Sequence, residues 1–309
     1  MNAYLSILSG VVCAGVGGEL FVRGSVGLAK WLRIPSGIIG ATVAAFATSS
    51  PELSVAINAG LAGEPQIALG DSLGSNVVNV ALILGTALAI SGIQSPRSSL
   101  KRDFPIAVLV PIVTALMLLD GVLSRLDGVL LLLGFSNWLT VTIIEARRQR
   151  SSTTEVLAAA HRWSTIGSCL FGLALLIFAG KFIVTGAQAI AAAYGVSQFV
   201  IGATVVAVGT SVPELATTVI AKIKGHDEIG LGTVLGSNIF NGLFIVGLVA
   251  VIHPIQVAWQ SVLVALSIGV VALICSFPRS SGFIERPRGV LLIAMYCVYL
   301  VIVLQQPGH

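Results

Sequence analysis

Residues 40–85 recur as residues 202–247, at a constant offset of 162 and without a gap, with 22 identities in 46 positions. GATVAAFATSSPEL is answered by GATVVAVGTSVPEL, and GEPQIALGDSLGSNVVN by GHDEIGLGTVLGSNIFN. The match extends weakly upstream, where Gly18, Val22 and Gly24 pair with Gly180, Val184 and Gly186. Shared polar and helix-breaking residues separate this from a chance match between two helices rich in Ala, Gly and Val. The chain therefore folds as two like halves, and the remaining question is how the halves are related.

The medium answers it. The chain is 56% hydrophobic and 10% charged, where a soluble domain carries roughly 25% charged residues. Apolar runs of about 20 residues, each able to cross a hydrocarbon core of roughly 30 Å, recur throughout. They place ten spans at 4–29, 36–62, 66–92, 104–119, 126–146, 164–193, 197–221, 229–251, 256–276 and 289–305. Loop chemistry separates them: Gly63-Glu64-Pro65, Ser95-Pro96-Arg97, Asp120-Gly121, His253-Pro254 and Pro278-Arg279. The first run has no basic leader and is interrupted by Glu19, so it reads as a membrane helix and not a cleaved signal. Cys13, Cys169, Cys275 and Cys297 all fall in apolar segments without metal or redox spacing, and read as small core residues.

Basic residues orient the spans. Lys30, Arg33, Arg97, Lys101, Arg102, Arg147, Arg148, Arg150, Arg162, Lys222, Lys224, Arg279, Arg286 and Arg288 all lie in alternate loops, and the opposite loops hold Arg125 alone. The positive-inside rule makes the basic loops cytoplasmic and puts both termini outside, in a multi-pass protein of the cell membrane. Charge spread over short loops in this way is an orientation signal facing the lipid bilayer, not a patch for nucleic acid. The offset of 162 carries each helix onto the one five spans later. Five is odd, so the copies enter the bilayer in opposite directions, as in many secondary transporters. The fold class is all-α integral membrane, with ten transmembrane helices as two inverted five-helix repeats. The first repeat covers 1–146, a cytoplasmic linker 147–163, and the second repeat 164–309.

Within each copy the polar residues converge. Pro51 and Pro213 lack an N–H and release the carbonyls of Ala47 and Gly209. Thr48 and Ser49 share a helix face with Glu52, as Thr210 and Ser211 do with Glu214. Carboxylate, hydroxyl and carbonyl oxygens are hard ligands, suited to sodium or calcium. A carboxylate at mid-membrane costs roughly 2.5–3.5 kcal/mol on insertion scales, and neither motif holds an Arg to neutralise it. Two carboxylates match one divalent or two monovalent ions, which is a chemical basis for exchange. The next helix supplies Ser75, Asn76 and Asn79 in one copy and Ser237, Asn238 and Asn241 in the other. Ligation and plain packing are both open for these, as for Gly70-x-x-x-Gly74 and Gly232-x-x-x-Gly236. Asp71, whose partner is Thr233, reads as an ion guide or as an interfacial cap. Glu19 and its partner Lys181 read as neighbours of the ion path or as interfacial side chains.

The two motifs resemble the alpha repeats of the cation/calcium exchanger superfamily, in particular its prokaryotic sodium/calcium exchanger-like members, and the resemblance spans the whole chain. The Thr-Ser-x-Pro-Glu form is closer to these than to the proton-coupled branch. The resemblance implies a secondary active antiporter of small inorganic cations, exchanging sodium for calcium by alternating access and needing no cofactor. Proton- or potassium-coupled exchange is the alternative. It implies ion ligands at Thr48, Ser49, Glu52, Ser75 and Asn79, and at Thr210, Ser211, Glu214, Ser237 and Asn241, with carbonyls near Ala45 and Ala207. Some members have Asp where this chain has Asn241. It also implies that the first and sixth helices slide across the other eight, a surface suited to Gly17, Gly18, Gly180 and Gly186. The linker 147–163 is too short for a calcium-sensing module. An intramembrane enzyme would need more than the Gly70-Asp71-Ser72-Leu73-Gly74 pattern: Val234 replaces Ser72 in the repeat, and His161, His226, His253 and His309 lie in loops or the tail. A channel is separated from an exchanger by saturable counter-transport.

Overall fold

The computed structural model describes residues 3–61, 63, 65–149, 162–193, 207–279 and 281–305. Apolar runs become α1 (Ala3–Leu32), α2 (Ser36–Thr48 and Ser50–Leu61), α3 (Pro65–Ile90), α4 (Ser99–Asp120) and α5 (Arg125–Arg148). The second set is α6 (Arg162–Ala193), α7 (Ala207–Thr210 and Val212–Ile223), α8 (Asp227–Ile252), α9 (Trp259–Ser276) and α10 (Arg286–Gln305). Six of these are long and apolar enough to cross a membrane, and α2, bent by 45°, makes a seventh. Shorter apolar stretches in α6 and α9 cover Trp163–Ala179 and Val262–Ser276. The upstream part of the seventh expected span, 197–206, lies outside the described residues. So do 150–161 of the expected linker, with Arg150 and His161, and the tail with His309.

Two boundaries move for physical reasons. α4 begins at Ser99, not 104, because Arg102 and Asp103 neutralise each other at 2.7 Å and enter the helix as a buried pair. α9 begins at Trp259, not 256, because Ile255 and Gln256 are drawn into a strand. Four two-residue strands, absent from the sequence reading, form two clips: β1 (Ile93–Gln94) pairs with β4 (Phe283–Ile284), and β2 (Val122–Leu123) with β3 (Ile255–Gln256), both antiparallel. β1 and β3 hold the same place in the two copies, as do β4 and β2. One clip therefore becomes the other under the repeat, and each ties a first-half loop to a second-half loop.

The basic loops gather at the β1–β4 end. Lys222 donates from Nζ to the carbonyl of Gly92 at 2.6 Å and pairs with Asp227 at 3.0 Å. Arg102 reaches Glu145 near the end of α5 at 2.6 Å. A Cβ on Gly37, at the start of α2, would lie 3.4 Å from Pro96 and 3.6 Å from Glu228. Glu19 sits at this end as well, 2.7 Å from Lys224. This ion pair is part-exposed and separate from the Ser49–Glu214 and Ser211–Glu52 contacts, and Lys181 is exposed on α6.

The main hydrophobic core is built from α2–α5 and α7–α10, and no described residue of α1 or α6 enters it. Those two helices instead pack closely on each other: a Cβ at Gly17, Gly24 or Gly172 would strike the backbone of the opposite helix. They meet the rest through two small clusters, Phe21–Ala44–Leu176 and Val22–Ala221–Ile229. Gly18 faces Ala216 and Ile220 of α7, as a surface between the pair and the body requires. Gly17 does not: it lies between α1 and α6. Cys297 also departs from expectation, being exposed on α10, because an apolar helix turned to lipid has no need to bury it.

Candidate functional site

Both proline-bearing spans break at the same residue of their copy. Ser49 has φ −84° and ψ 14°, and Ser211 has φ −85° and ψ 7°. Pro51 and Pro213 follow in the first turn of the outgoing arm, where a missing N–H costs least. The carbonyl released by Pro51 is not spare: the Ser50 hydroxyl donates to Ala47 O at 2.8 Å. Val212 stands at the equivalent place in the second copy and brings no hydroxyl to Gly209. The carbonyl of Ala45 receives the Thr48 hydroxyl at 3.3 Å and that of Ser237 at 3.4 Å, and Ala207 receives Thr210 at 3.2 Å.

The breaks face each other across the repeat. Ser49 donates to Oε1 of Glu214 at 2.7 Å, and Ser211 donates to Oε1 of Glu52 at 3.4 Å. Each carboxylate thus meets the hydroxyl of the other half. Ser237 adds a contact to Glu214 at 3.2 Å and lies 2.9 Å from the Ser49 hydroxyl. Glu52, Glu214, Thr48, Ser49, Ser75, Asn79, Thr210, Ser211, Ser237 and Asn241 are all buried. The ten residues singled out from sequence are therefore all interior, and the two glutamates occupy one shared polar chamber.

Much of the chamber's hydrogen-bonding capacity is unused. Among the described residues, Oε2 of Glu52, Oε2 of Glu214, Oγ of Ser75 and both side-chain polar atoms of Asn79 and Asn241 are buried without a partner. Such atoms ordinarily find one. Among the described residues no Lys, Arg or His comes within ion-pair distance of Glu52, Glu214 or Asp71. Nor do three acidic, Cys or His side chains converge to metal-ligand distance. A cation here would be held by two carboxylates supplemented by neutral oxygens.

Asp71 is not a helix cap. It lies six residues inside α3, with Oδ1 3.5 Å from the Thr210 hydroxyl and Oδ2 buried and, among the described residues, unpartnered. Its repeat partner, Thr233, instead turns back to its own helix at Ile229 O, 2.9 Å away. Sequence reasoning left ligation and plain packing both open for Asn76 and Asn238, and the structure gives them a packing contact. Each donates its amide to the other's backbone carbonyl, at 3.3 and 3.2 Å, and their equal place in the two copies was the available signal. Gly232 and Gly236 are close-approach residues, since a Cβ on either would collide with the backbone of α2 at Gly37–Ala41.

The family model described as sodium/calcium exchanger protein matches residues 2–144 and 164–305. The chain belongs to the sodium/calcium exchanger family. It is thus a membrane antiporter of cations and not an enzyme. It is 36% identical to the inner membrane protein YrbG of Escherichia coli over 288 residues, 88% of each chain. It is 29% identical to the sodium/calcium exchanger MaX1 of Methanosarcina acetivorans, over 97% of each. The solved sodium-calcium exchanger NCX_Mj superposes with a TM-score of 0.83 at 28% identity, covering 97% of this chain and 98% of that one. The ten-helix inverted repeat is shared with it.

Proposed function

We propose that this exchanger moves calcium against sodium through the chamber between Glu52 and Glu214, which the two halves open alternately to either side. The observation that carries this is the reciprocal pairing of Ser49 with Glu214 and of Ser211 with Glu52. Neither half builds the chamber alone, so a change in how the halves meet changes the ion's surroundings.

The chemistry follows from charge and burial. Two carboxylates without a cationic partner oppose insertion by roughly 2.5–3.5 kcal/mol each. One calcium ion or two sodium ions neutralise both, so the two loads compete for the same oxygens. Glu52 and Glu214 supply the charge. Ser49, Ser211, Ser237 and Ser75, the Asn79 and Asn241 amides, the Thr48 and Thr210 hydroxyls and the carbonyls of Ala45 and Ala207 replace water around the ion. The absence of α1 and α6 from the main core supports motion of that pair over an eight-helix body. The gathering of basic loops at the β1–β4 end supports a cytoplasmic location for that end, with both termini outside and 147–163 as the linker between repeats 1–146 and 164–309.

The test is calcium flux in proteoliposomes under an imposed sodium gradient. Sodium-driven flux is expected from the parental chain and is expected to vanish in Glu52→Gln and in Glu214→Gln. Undiminished flux in both variants would overturn the site; calcium flux indifferent to sodium would overturn the coupling ion.

A further inference from the structure

The first half's broken helix is joined to α8 by a seam of contacts. The hydroxyl of Ser237 donates to the carbonyl of Ala45 at 3.4 Å, and the hydroxyls of Ser49 and Ser237 are 2.9 Å apart. Beside them Phe46 of α2 stacks on Phe240 of α8, with ring centroids 4.7 Å apart and planes inclined by 27°. Phe135 of α5 flanks the pair, 5.6 Å from Phe46 and 5.8 Å from Phe240. Phe46 stands one turn before Ser49, and Phe240 one turn after Ser237 and directly before Asn241.

The other copy lacks this seam. Val208 and Val78 occupy the positions of Phe46 and Phe240. The hydroxyl of Ser75, which corresponds to Ser237, is buried and has no partner among the described residues. The carboxylate contacts differ in step. Ser49 is 2.7 Å from Glu214 where the aromatic pair is present, and Ser211 is 3.4 Å from Glu52 where it is absent. Serine, glutamate and helix break are alike in the two copies, so the chain's own difference at the seam is two rings against two valines.

We propose that Phe46 and Phe240 are positioning residues for the ion site: their stack pins the first half's break against α8 and so keeps the Ser49 hydroxyl within reach of both Glu214 and Ser237. This rests on the chamber being the transport site. Neither ring has to touch the ion. A stacked aromatic pair is favourable beyond the area that it buries and prefers a narrow range of geometries, so it fixes where the two backbones meet. Valine reaches less far and sets no such geometry, and Ser211 is left at the longer distance. The chamber then has one wall set before the ion arrives and one that adjusts to it. Calcium, which gathers six to eight oxygens, gains from the preset wall.

The experiment uses the full chain in proteoliposomes, with calcium varied under a fixed sodium gradient. Phe46→Val, which installs the residue of the other copy, is expected to raise half-saturating calcium about fivefold, the size an aromatic pair carries beyond its buried area. The maximal rate should fall by less than about twofold. Phe240→Val removes the other ring and provides a second arm should Phe46→Val fold poorly, with the same expected shift. The deciding measurement is made in the Ser49→Ala chain. There Phe46→Val or Phe240→Val should move half-saturating calcium by less than about twofold, because the bond that the rings position is already gone. A merely structural role predicts additive losses in that background and a maximal rate that falls with stability. Additive losses, or parental half-saturating calcium in whichever of Phe46→Val and Phe240→Val folds, overturn the proposal. Glu214→Gln in the same vesicles separates the two readings. Full flux there removes the chamber itself; abolished flux there with parental half-saturation in the ring variants removes the positioning role alone.

Discussion

Asn76 and Asn238 hold each other by the backbone, each side-chain amide donating to the other's carbonyl, at 3.3 and 3.2 Å. They occupy the same position in the two copies, so the axis relating the halves passes between them. Each is next to a serine of the site, Ser75 or Ser237. Replacing either by Ala leaves a carbonyl of the crossing without its cross-repeat donor, at a cost of about 1–3 kcal/mol. Thermal unfolding in detergent should therefore fall for Asn76→Ala and for Asn238→Ala. The double variant should lose clearly more than either alone, because the two bonds are separate. A melting temperature unchanged by both single substitutions would refute the cross-link.

The two carboxylates are not held alike. Among the described residues, Glu214 accepts from Ser49 at 2.7 Å and Ser237 at 3.2 Å, whereas Glu52 accepts from Ser211 alone, at 3.4 Å. A hydrogen bond to a charged group is worth about 1.5–3 kcal/mol. Ser49→Ala should accordingly weaken half-saturating calcium about tenfold, and Ser211→Ala only a few-fold. Calcium titration of flux in vesicles measures both, and equal effects would contradict the asymmetry.

Gly236 has no room for a side chain, since a Cβ there would meet the carbonyl, Cα and carbonyl carbon of Ala41. Backbone cannot yield as a side chain can. Gly236→Ala should push α8 from α2, destabilise the fold by about 1–3 kcal/mol and abolish transport. Gly60 is a control within α2, where a Cβ would find ordinary contacts with Val249 at 3.6 Å and Ile252 at 3.8 Å. Gly60→Ala should be transported into membranes, fold and exchange ions as the parent does.

Outside the chamber, Asp103 is fully buried and accepts from Arg102 at 2.7 and 3.0 Å and from the Trp138 indole at 3.2 Å. Arg102→Met leaves that carboxylate unpaired and should cost about 3–5 kcal/mol of stability. Protein that still folds should show parental sodium and calcium half-saturation, because the network touches none of the chamber residues. A shifted ion dependence with unchanged thermal stability would assign Arg102 the opposite role.

The repeat, the spans and the placing of Glu52 and Glu214 were all legible beforehand. Identity at a fixed offset and uniform hydropathy are signals that survive without coordinates. What the sequence could not convey were contacts made by residues without a period. Two-residue strands such as Ile93–Gln94 carry no alternation to detect. The direction of Asp71 depended on its helix reaching Thr210, a contact between residues 139 apart. Gly17 and Gly18 are adjacent and chemically identical, yet one serves α6 and the other α7. The aromatic group around Phe46, stacked on Phe240 at 4.7 Å and edge-on to Trp138 at 6.2 Å, joins α2 and α5 of the first copy to α8 of the second. Val208 replaces Phe46 in the other copy, so repetition gave no hint of it.

With α1 and α6 left outside the main core, the proposed motion of that pair would put durability and turnover under different sets of residues. Substitutions that tighten the eight-helix body can raise heat resistance while leaving the cycling rate alone. Changes along the Gly18 seam can tune speed with little effect on melting. A lineage moving to a hotter habitat could therefore harden such a carrier without slowing it.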